Sequence, residues 1–321
     1  MKKSILAGWF GCSLLVSTVF LGMQTAWAGA HNGPGMPEIA VTETENLGDG
    51  LYTFRWGPYR NIFLVTDDGV IATDPLGVIS APLYREAIRA VTDKPVKYVI
   101  YSHSHWDHIA GGAVFKEEGA TFITQEKCAE NLRISPNPDV VSADLTFSDS
   151  YDLKLGGKSI EVHHFGPIHD NCMSVMLVKP ANMIFVVDIV SPPTGRALPF
   201  DAFNDPDFHY GNAGPFLQAV EDLADRNGVT TIVGAHLVLG PDSSGKMVIY
   251  PSTGPVAALT ERREYYEELL AVVKAELDAG TPILAAHKNI DLEPFRDLWG
   301  FDEAKMRLFL QRAVYFYVLG K

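Results

Sequence analysis

His103-Ser104-His105-Trp106-Asp107-His108 is the stretch that decides the fold of this chain. It follows a β-branched and aromatic run, residues 96–101, which has the length and composition of a buried strand. Side chains alternate in an extended segment, so His103 and His105 can converge on one point while Asp107 and His108 point at a second. Imidazole and carboxylate groups suit zinc and related metals. The alternative is a polar loop with coincidental histidines, but so dense a group of ligand-type residues favours a metal site.

Three later segments supply further ligand-type side chains in similar contexts. His169 lies in a loop that contains glycine and proline. Asp188 ends an apolar run that begins at Ile184, and His236 ends another that begins at Ile232. This order, together with His-x-His-x-Asp-His after a strand and before two glycines, resembles the signature of the metallo-β-lactamase superfamily. The resemblance covers residues 47 to 236.

The resemblance implies an α/β fold, an αββα sandwich of the metallo-β-lactamase type, with extra C-terminal helices. It also implies two divalent metal ions, expected to be Zn²⁺. One ion would be held by His103, His105 and His169, and the other by Asp107, His108 and His236, with Asp188 bridging both. Asp107 is in addition the candidate catalytic residue. Each ion would have few protein ligands and would keep room for water.

The implied chemistry is hydrolysis. Two divalent ions about 3.5–4 Å apart can share a hydroxide, because metal binding lowers the pKa of water to about 7. We therefore expect a hydrolase whose metal-bridging hydroxide attacks an ester, lactone, thioester or amide carbonyl. A bridging Asp188 is similar to glyoxalase II and lactonases, whereas one large group of β-lactamases has cysteine near this position. Two alternatives stay open: a β-lactam-hydrolysing relative without that cysteine, and a non-catalytic metal-binding protein that retains the fold.

The N-terminal sequence predicts export. A basic start with Lys2 and Lys3, an apolar stretch to Met23 and the small residues around Ala28 are typical of a secretory signal peptide, residues 1–28, cleaved after Ala28. A retained anchor is the alternative, because the apolar stretch is nearly long enough to span a bilayer. Loss of the two lysines would change the formal charge from −13 to −15. So acidic a protein has no electrostatic footprint for nucleic acid or an anionic membrane, and we expect a periplasmic or secreted enzyme that acts on a small molecule.

The sequence divides into a leader, a main domain and a helical extension. The leader covers residues 29–46, the metallo-β-lactamase-like domain covers 47–255, and the extension covers 256–321. From Ala257 to Leu277 apolar residues recur at helical spacing, and a further helix is expected from Asp302 to about Val318. Such apolar stripes normally pack on the preceding domain, and a homodimer surface formed by these helices is the alternative.

Two segments are candidates for substrate contact. Residues 57–61 are expected to form a flap between two strands. The resemblance implies that this flap borders the active site, with Trp56, Tyr59 and Arg60 as substrate contacts; the alternative is that they are exposed turn residues. Residues 191–214 are expected to form a long lid loop that carries aromatic side chains. Its candidate contacts are Phe203, Phe208 and His209.

Two further points stay open at the level of sequence. Cys128 and Cys172 remain after signal cleavage and could pair in an oxidising compartment, or Cys172 could simply be a small buried residue. Asp74 ends an early strand, where it could support a ligand histidine or cap a turn.

Overall fold

Two mixed β-sheets, each covered by helices on its outer face, form the main part of the protein. The computed structural model describes residues 37–199 and 208–320. The predicted signal peptide and the first part of the predicted leader therefore lie outside the described residues. Of the described residues, 42–199, 208–238 and 250–320 belong to the main unit, while 37–41 and 239–249 form a second unit. The sandwich of the main unit is the predicted αββα architecture.

The first sheet has seven strands that lie side by side in chain order. They are β1 (Thr42–Gly48), β2 (Leu51–Trp56), β3 (Tyr59–Val65), β4 (Val70–Thr73), β5 (Val96–Ile100), β6 (Thr121–Gln125) and β7 (Leu145–Phe147). Strands β1 to β4 are antiparallel neighbours, and strands β4 to β7 are parallel. The predicted leader is wrong at its end, because residues 42–46 belong to β1. This edge strand is almost wholly exposed, so its sequence lacks the apolar alternation that announces a strand.

The second sheet has six strands, ordered β15-β12-β11-β10-β9-β8. Its strands, with the separate hairpin β13–β14 of the second unit, are β8 (Ser150–Leu155), β9 (Lys158–His163), β10 (Val175–Lys179), β11 (Met183–Val186), β12 (Thr231–Gly234), β13 (Leu239–Pro241), β14 (Met247–Ile249) and β15 (Thr253–Pro255). Gly156 and Gly157 join β8 to β9 with positive φ at both positions, which a two-residue hairpin turn of this hand requires. Strands β11 and β12 are parallel, and this pairing fixes the position of two candidate ligands.

Helices cover both outer faces of the sandwich. They are α1 (Ser80–Val91), α2 (Trp106–Ile109), α3 (Ala113–Lys116), α4 (Glu126–Ile134), α5 (Tyr210–Asn227), α6 (Ala257–Asp278), α7 (Ile283–Asn289) and α8 (Glu303–Leu319). Helix α8 begins where the Asp302 side chain accepts a hydrogen bond from the backbone N–H of Lys305. The predicted C-terminal helices are confirmed. Within residues 37–199 and 208–320, none of the helices has both the length and the apolar composition needed to cross a bilayer.

Three apolar layers hold these elements together. Side chains of strand β11 alternate between two of these layers: Phe185 faces the core between the two sheets, while its neighbour Ile184 faces the helices. The helix-facing layer of the second sheet also contains residues of α5, α6 and α8, so the C-terminal extension packs on the domain as expected. On the other side, Tyr84 of α1 is fully buried and stacks on Phe54 of β2. The strand ends between these layers are thereby held rigidly, and the candidate site lies there.

Candidate metal centre

The predicted ligands converge from four connections at the ends of strands. His103, His105, Asp107 and His108 follow β5, His169 lies between β9 and β10, and Asp188 and His236 each follow a strand of the parallel pair β11–β12. Asp188 is the centre of a tight turn, in which the N–H of Ile189 donates to the carbonyl of Val187. Its φ of 59° is unusual for a residue with a side chain and costs about 1–3 kcal/mol, the range for a strained backbone at a functional site. The turn directs the carboxylate into the cluster of histidines.

The two carboxylate oxygens of Asp188 face different histidines. Oδ2 lies 3.4 Å from Nε2 of His103 and 3.1 Å from Nε2 of His108. The same oxygen lies 3.2 Å from Nε2 of His169, whereas Oδ1 lies 2.5 Å from Nε2 of His236. Nε2 of His169 is in turn 2.9 Å from Nδ1 of His105. One buried carboxylate is therefore shared by histidines from three other connections.

These side chains form two overlapping groups with the donor chemistry of a dinuclear site. In each group the ligand atoms lie within 4.8 Å of one another. The first group is His103, His105, His169 and Asp188, and the second is His108, Asp188 and His236. Asp107 stands at the edge of the second group, with a half-exposed carboxylate whose Oδ2 is 3.9 Å from Nε2 of His108. The structure thus brings all seven predicted ligands together, and their binding of metal stays a prediction.

Two orphaned nitrogens support the fit of this cluster to metal ions. Nε2 of His103 and Nε2 of His108 are both buried, and among residues 37–199 and 208–320 neither forms a hydrogen bond of good geometry, although each faces the Asp188 carboxylate. A buried polar atom left without a partner costs about 1–3 kcal/mol. Both atoms point towards Asp188, so a cation placed between them would satisfy both nitrogens and the carboxylate together. The donor set of imidazole and carboxylate groups is the one that Zn²⁺ takes in catalytic sites.

The electrostatics of the cluster also favour a cation. Burial alone would raise the pKa of Asp188, but His108 and His236 hold it well below its ordinary value. Burial likewise opposes protonation of His108, yet Asp188 and Asp107 raise its pKa to about 9. Burial also lowers the pKa of His103 well below its usual range, so this imidazole stays neutral and able to bind a metal. The carboxylates thus give the centre a negative potential that attracts positive charge.

Asp74 supports the motif loop, residues 102–108, which carries four of the predicted ligands. This fully buried residue accepts a hydrogen bond from the N–H of Ser102, whose hydroxyl lies 2.9 Å from Nδ1 of His103. Burial raises the pKa of Asp74 to about 6 despite the opposing charge of His108. Of the two roles open for Asp74, the structure favours support of a ligand histidine, and this support acts through Ser102.

A second support joins the motif loop to the loop of His169. The buried carboxylate of Asp170 accepts from the N–H and the hydroxyl of Ser104 and from the N–H of Cys172. Asn131 of α4 donates to the same Ser104 hydroxyl at 3.1 Å. Cys172 forms a disulfide with Cys128 of α4, which answers the open question of pairing. Although Asp170 and the two cysteines cluster like metal ligands, the disulfide engages both sulfur atoms.

The predicted flap contains one residue whose expected role is wrong. Arg60 is only 4% exposed, and its guanidinium donates to the carbonyls of Gly234 and His236. Burial lowers its pKa to about 10. Arg60 therefore holds the chain around a predicted ligand and does not face substrate, because β3 continues into a contact with residues 235–237.

The other flap candidates lie closer to their expected place. The Tyr59 ring lies edge-on to the ring of His108, with centroids 5.6 Å apart, and 5.3 Å from the ring of His236. Trp56 is half-buried at the end of β2 and packs beside the core of the first sheet. Tyr59 is thus at the rim of the centre, and substrate contact for Tyr59 and Trp56 stays a prediction.

The predicted lid, residues 191–214, differs from the structure over its last five residues. Residues 210–214 are the first turn of α5 and not loop. Phe208 is buried against Tyr266, with ring centroids 5.0 Å apart, so its expected contact with substrate is wrong. His209 is half-buried and lines the same cavity as His105. Phe203 lies outside the described residues.

Several supporting residues escaped the sequence analysis. Ser102, Ser104 and Asp170 each lie directly beside a predicted ligand in sequence, which is the one signal that could have revealed them. Neither Asn131 nor the supporting role of Arg60 has such a signal, because their contacts join segments far apart in the chain.

Comparison with known proteins identifies the family. The model of the metallo-beta-lactamase superfamily matches residues 55–236, which is more than half of the chain. The chain belongs to this superfamily of hydrolases. The match ends at His236, so it contains every predicted ligand and excludes the C-terminal helices.

Solved structures of metallo-beta-lactamases share the fold of this superfamily member. The metallo-beta-lactamase from Pontibacter korlensis has a TM-score of 0.57 and 17% sequence identity, and the similarity covers 70% of this chain and 99% of that one. Metallo-beta-lactamase IND-7 has a TM-score of 0.51 and 18% identity, with 62% of this chain and 92% of that one covered. At such identities the likeness concerns the fold.

One relative found by sequence is named as an O-demethylase subunit. The chain is 28% identical over 170 residues to the 2,4-dinitroanisole O-demethylase subunit alpha of Nocardioides sp. strain JS1661. The match covers 52% of this superfamily member and 52% of that relative. The chain therefore spans about half the length of the relative it matches.

Proposed function

We propose that this protein is an exported hydrolase that cleaves an ester, lactone, thioester or amide bond of a small molecule. It would hold two divalent metal ions, and Zn²⁺ is the ion we expect. The observation that carries the proposal is the shared carboxylate of Asp188. It lies within 3.4 Å of Nε2 atoms of His103, His108, His169 and His236. A bridging position of this kind suits a catalytic pair of ions, because each ion then has few protein ligands and an open side.

In this proposal the seven candidate ligands are divided between the two ions. His103, His105 and His169 would hold one ion, His108, His236 and Asp107 the other, and Asp188 both. Ions bound there would lower the pKa of water to about 7 and polarise the substrate carbonyl.

Asp107 is the ligand candidate that solvent and substrate reach most easily, since its side chain is 42% exposed. In this proposal Asp107 would take the proton of the attacking water and pass it to the leaving group. The positive centre would in turn stabilise the negative charge that develops on the carbonyl oxygen.

Export is part of the same proposal. It is supported by the predicted signal peptide and by the disulfide between Cys128 and Cys172, because such bonds persist mainly in oxidising compartments. A test is to fuse the complete N-terminal segment to a reporter that is active only after export. Retention of the reporter in the cytoplasm would argue against this part of the proposal.

A second candidate reaction is removal of the methyl group from an aromatic methyl ether. It is favoured by the 28% identity to the 2,4-dinitroanisole O-demethylase subunit alpha. In that reaction water would attack the ring carbon that bears the methoxy group and lose a proton, the bond from this carbon to the methoxy oxygen would break, and methoxide would take up a proton and leave as methanol, with the phenol as the other product. The same centre could serve both reactions, since each needs an activated water and a stabilised anion.

The experiment that tests the proposal combines metal analysis with a substrate panel. Protein purified without chelator should contain nearly two metal equivalents by elemental analysis. The panel should include an ester, a lactone, a thioester, an amide, a β-lactam and 2,4-dinitroanisole. Pure folded protein that holds two metals yet turns over no member of the panel would contradict the hydrolase assignment for these classes. A high rate on the β-lactam alone, or on 2,4-dinitroanisole alone, would select that alternative.

A further inference from the structure

We propose that the cavity beside His105 binds an uncharged aromatic group of the substrate. This inference rests on the proposed function and deepens it, because it names the class of molecule that the centre acts on. The cavity has a volume of about 420 Å³. Pockets of about 300–1,000 Å³ hold small organic ligands, so this one accommodates a single substituted ring.

The position of the cavity ties it to the chemistry. His105 is both a predicted ligand and part of the wall, and Trp106 follows it directly on α2. A group seated in this cavity would therefore lie next to a bond held at the metal centre. The opposite wall is formed by the end of α4 and by His209, the residue that precedes α5.

The walls of the cavity include a cluster of large apolar side chains. Trp106 is 47% exposed and Ile134 is 66% exposed, and both line the cavity together with Leu132. Single exposed hydrophobic residues are common on protein surfaces. Here an indole and two branched aliphatic side chains border one concave space next to a catalytic centre, which is typical of a ligand site. A planar ring could stack on the indole and exclude water from the aliphatic side chains.

The charges around the cavity select against an ionic group. Among the described residues that line it there is neither lysine nor arginine. Asp170, the one carboxylate among the described lining residues, is buried and already accepts three hydrogen bonds. The amide of Asn131 donates to Ser104 and to Asn171. A carboxylate or phosphate seated in the cavity would meet no lysine or arginine among these described lining residues, whereas a neutral ring would lose little hydration on entry.

The cavity is also held in shape. Cys128 of α4 is bonded to Cys172, which lies in the same loop as His169. Asn131 of the same helix bonds to the Ser104 side chain of the motif loop. The helix that presents Ile134 is thus fixed to the metal-binding loops at two points. A preformed wall of this kind lets a small ring contribute binding energy without first ordering the protein.

The test uses pairs of esters that differ only in the group assigned to the cavity. Methyl acetate, methyl phenylacetate and the methyl ester of 4-carboxyphenylacetic acid have the same leaving group. The wild-type protein should prefer the neutral phenyl ester to both others in kcat/KM. Ile134→Asn and Trp106→Ala should reduce this preference by about tenfold, the scale set by a few apolar contacts in a specificity pocket, while Trp106→Phe should retain most of it. Ile134→Lys should shift the preference towards the carboxylate-bearing ester.

A matched control and a second readout keep the two proposals apart. Leu284 of α7 is 76% exposed and does not line this cavity, so Leu284→Asn should leave every ratio unchanged. Binding of the neutral single-ring probe acetophenone to the metal-loaded protein, measured by calorimetry, needs no turnover. Its Kd should rise about tenfold in Ile134→Asn and Trp106→Ala but not in Leu284→Asn.

The aromatic site and the hydrolase assignment can fail independently of each other. Loss of probe binding in both cavity variants, with no hydrolysis of any ester by the wild type, would support the aromatic site and count against the proposed hydrolase. Hydrolysis with unchanged ester preferences and unchanged probe binding in both cavity variants would overturn the aromatic site and leave the hydrolase intact.

Discussion

Oδ1 of Asp188 lies 2.5 Å from Nε2 of His236, and each of the two residues stands two positions beyond a paired residue of the second sheet. Val186 and Gly234 are partners in the parallel register of β11 and β12. Because parallel strands end at the same edge, two equal steps past this pair bring the carboxylate and the imidazole together. The proximity of these two candidate ligands is therefore a property of strand register, and any shift of β11 against β12 would separate them.

The first prediction concerns the charge of Asp188. Asp188→Asn keeps the shape and the left-handed backbone that asparagine tolerates well, but it removes the shared negative charge. We expect loss of about one metal equivalent and a fall in kcat of about two to three orders of magnitude, as is typical when one charge-stabilising group is removed. Elemental analysis and steady-state kinetics on the same preparation measure both effects.

The control for this variant is Asp49→Asn. Asp49 is an exposed aspartate with a φ of 52°, so the control makes the same chemical change in a similar backbone conformation. It should retain full metal content and activity. If Asp188→Asn kept two metals and full turnover, and lost only about 1 kcal/mol of stability, Asp188 would be a turn-capping residue and not a bridge.

The second prediction is that metal removal destabilises the fold. A cation would satisfy the buried Nε2 atoms of His103 and His108 together with the Asp188 carboxylate, whose side chain is only 4% exposed. At a free Zn²⁺ concentration about 100 times Kd, binding to the native state alone adds about 2.7 kcal/mol to the free energy of unfolding. Chelation should therefore lower Tm, and added Zn²⁺ should restore it in proportion to the logarithm of its concentration. A Tm that is the same with chelator and with Zn²⁺ would contradict the metal centre.

The third prediction separates support from substrate binding at Arg60. Arg60→Met removes the donors to the carbonyls of Gly234 and His236. We expect a loss of about 2 kcal/mol of stability, the scale of a buried hydrogen bond to a charged group, and weaker metal binding by about 10–100-fold. Arg60→Lys should recover part of both, because one donor can still reach a carbonyl. Denaturant unfolding and zinc titration measure the two effects.

The matched control is Arg89→Met on α1, where the exposed side chain forms an ion pair with Glu118. Arg89→Met should change the free energy of unfolding by less than about 1 kcal/mol. Should Arg60→Met raise KM for substrate while leaving stability and zinc affinity at their wild-type values, the flap role expected from sequence would be restored.

The contrast between His103 and Arg60 explains what could be predicted from sequence. His103 belongs to a motif whose residues lie within six positions, so its geometry follows from one strand and one turn. Arg60 looks like a flap residue because its neighbours are glycine, proline and tyrosine. Its burial depends on residues 234–236, which lie more than 170 positions away in the chain. Such contacts have no local pattern.

The start of α5 was missed for a related reason. Gly211, Gly214 and Pro215 are poor helix formers, and their spacing predicts a loop. The helix nevertheless begins at Tyr210, because Tyr210, Ala213 and Phe216 are all buried in the core against the second sheet. Packing outweighs local propensity there, as it does for Phe208, whose aromatic side chain serves the core and not the substrate.

The last prediction concerns the disulfide between Cys128 and Cys172, which closes a loop across 44 positions. A cross-link of this span should contribute up to about 4 kcal/mol to the free energy of unfolding in the chain-entropy model. Reduction of the wild type should therefore lower Tm, whereas the variant Cys128→Ala with Cys172→Ala should be insensitive to reductant. Metal content should survive reduction below the new Tm, because Asp170 still joins the two ligand loops through Ser104. Two free thiols at these positions in unreduced native protein, detected by mass spectrometry after alkylation, would refute the cross-link.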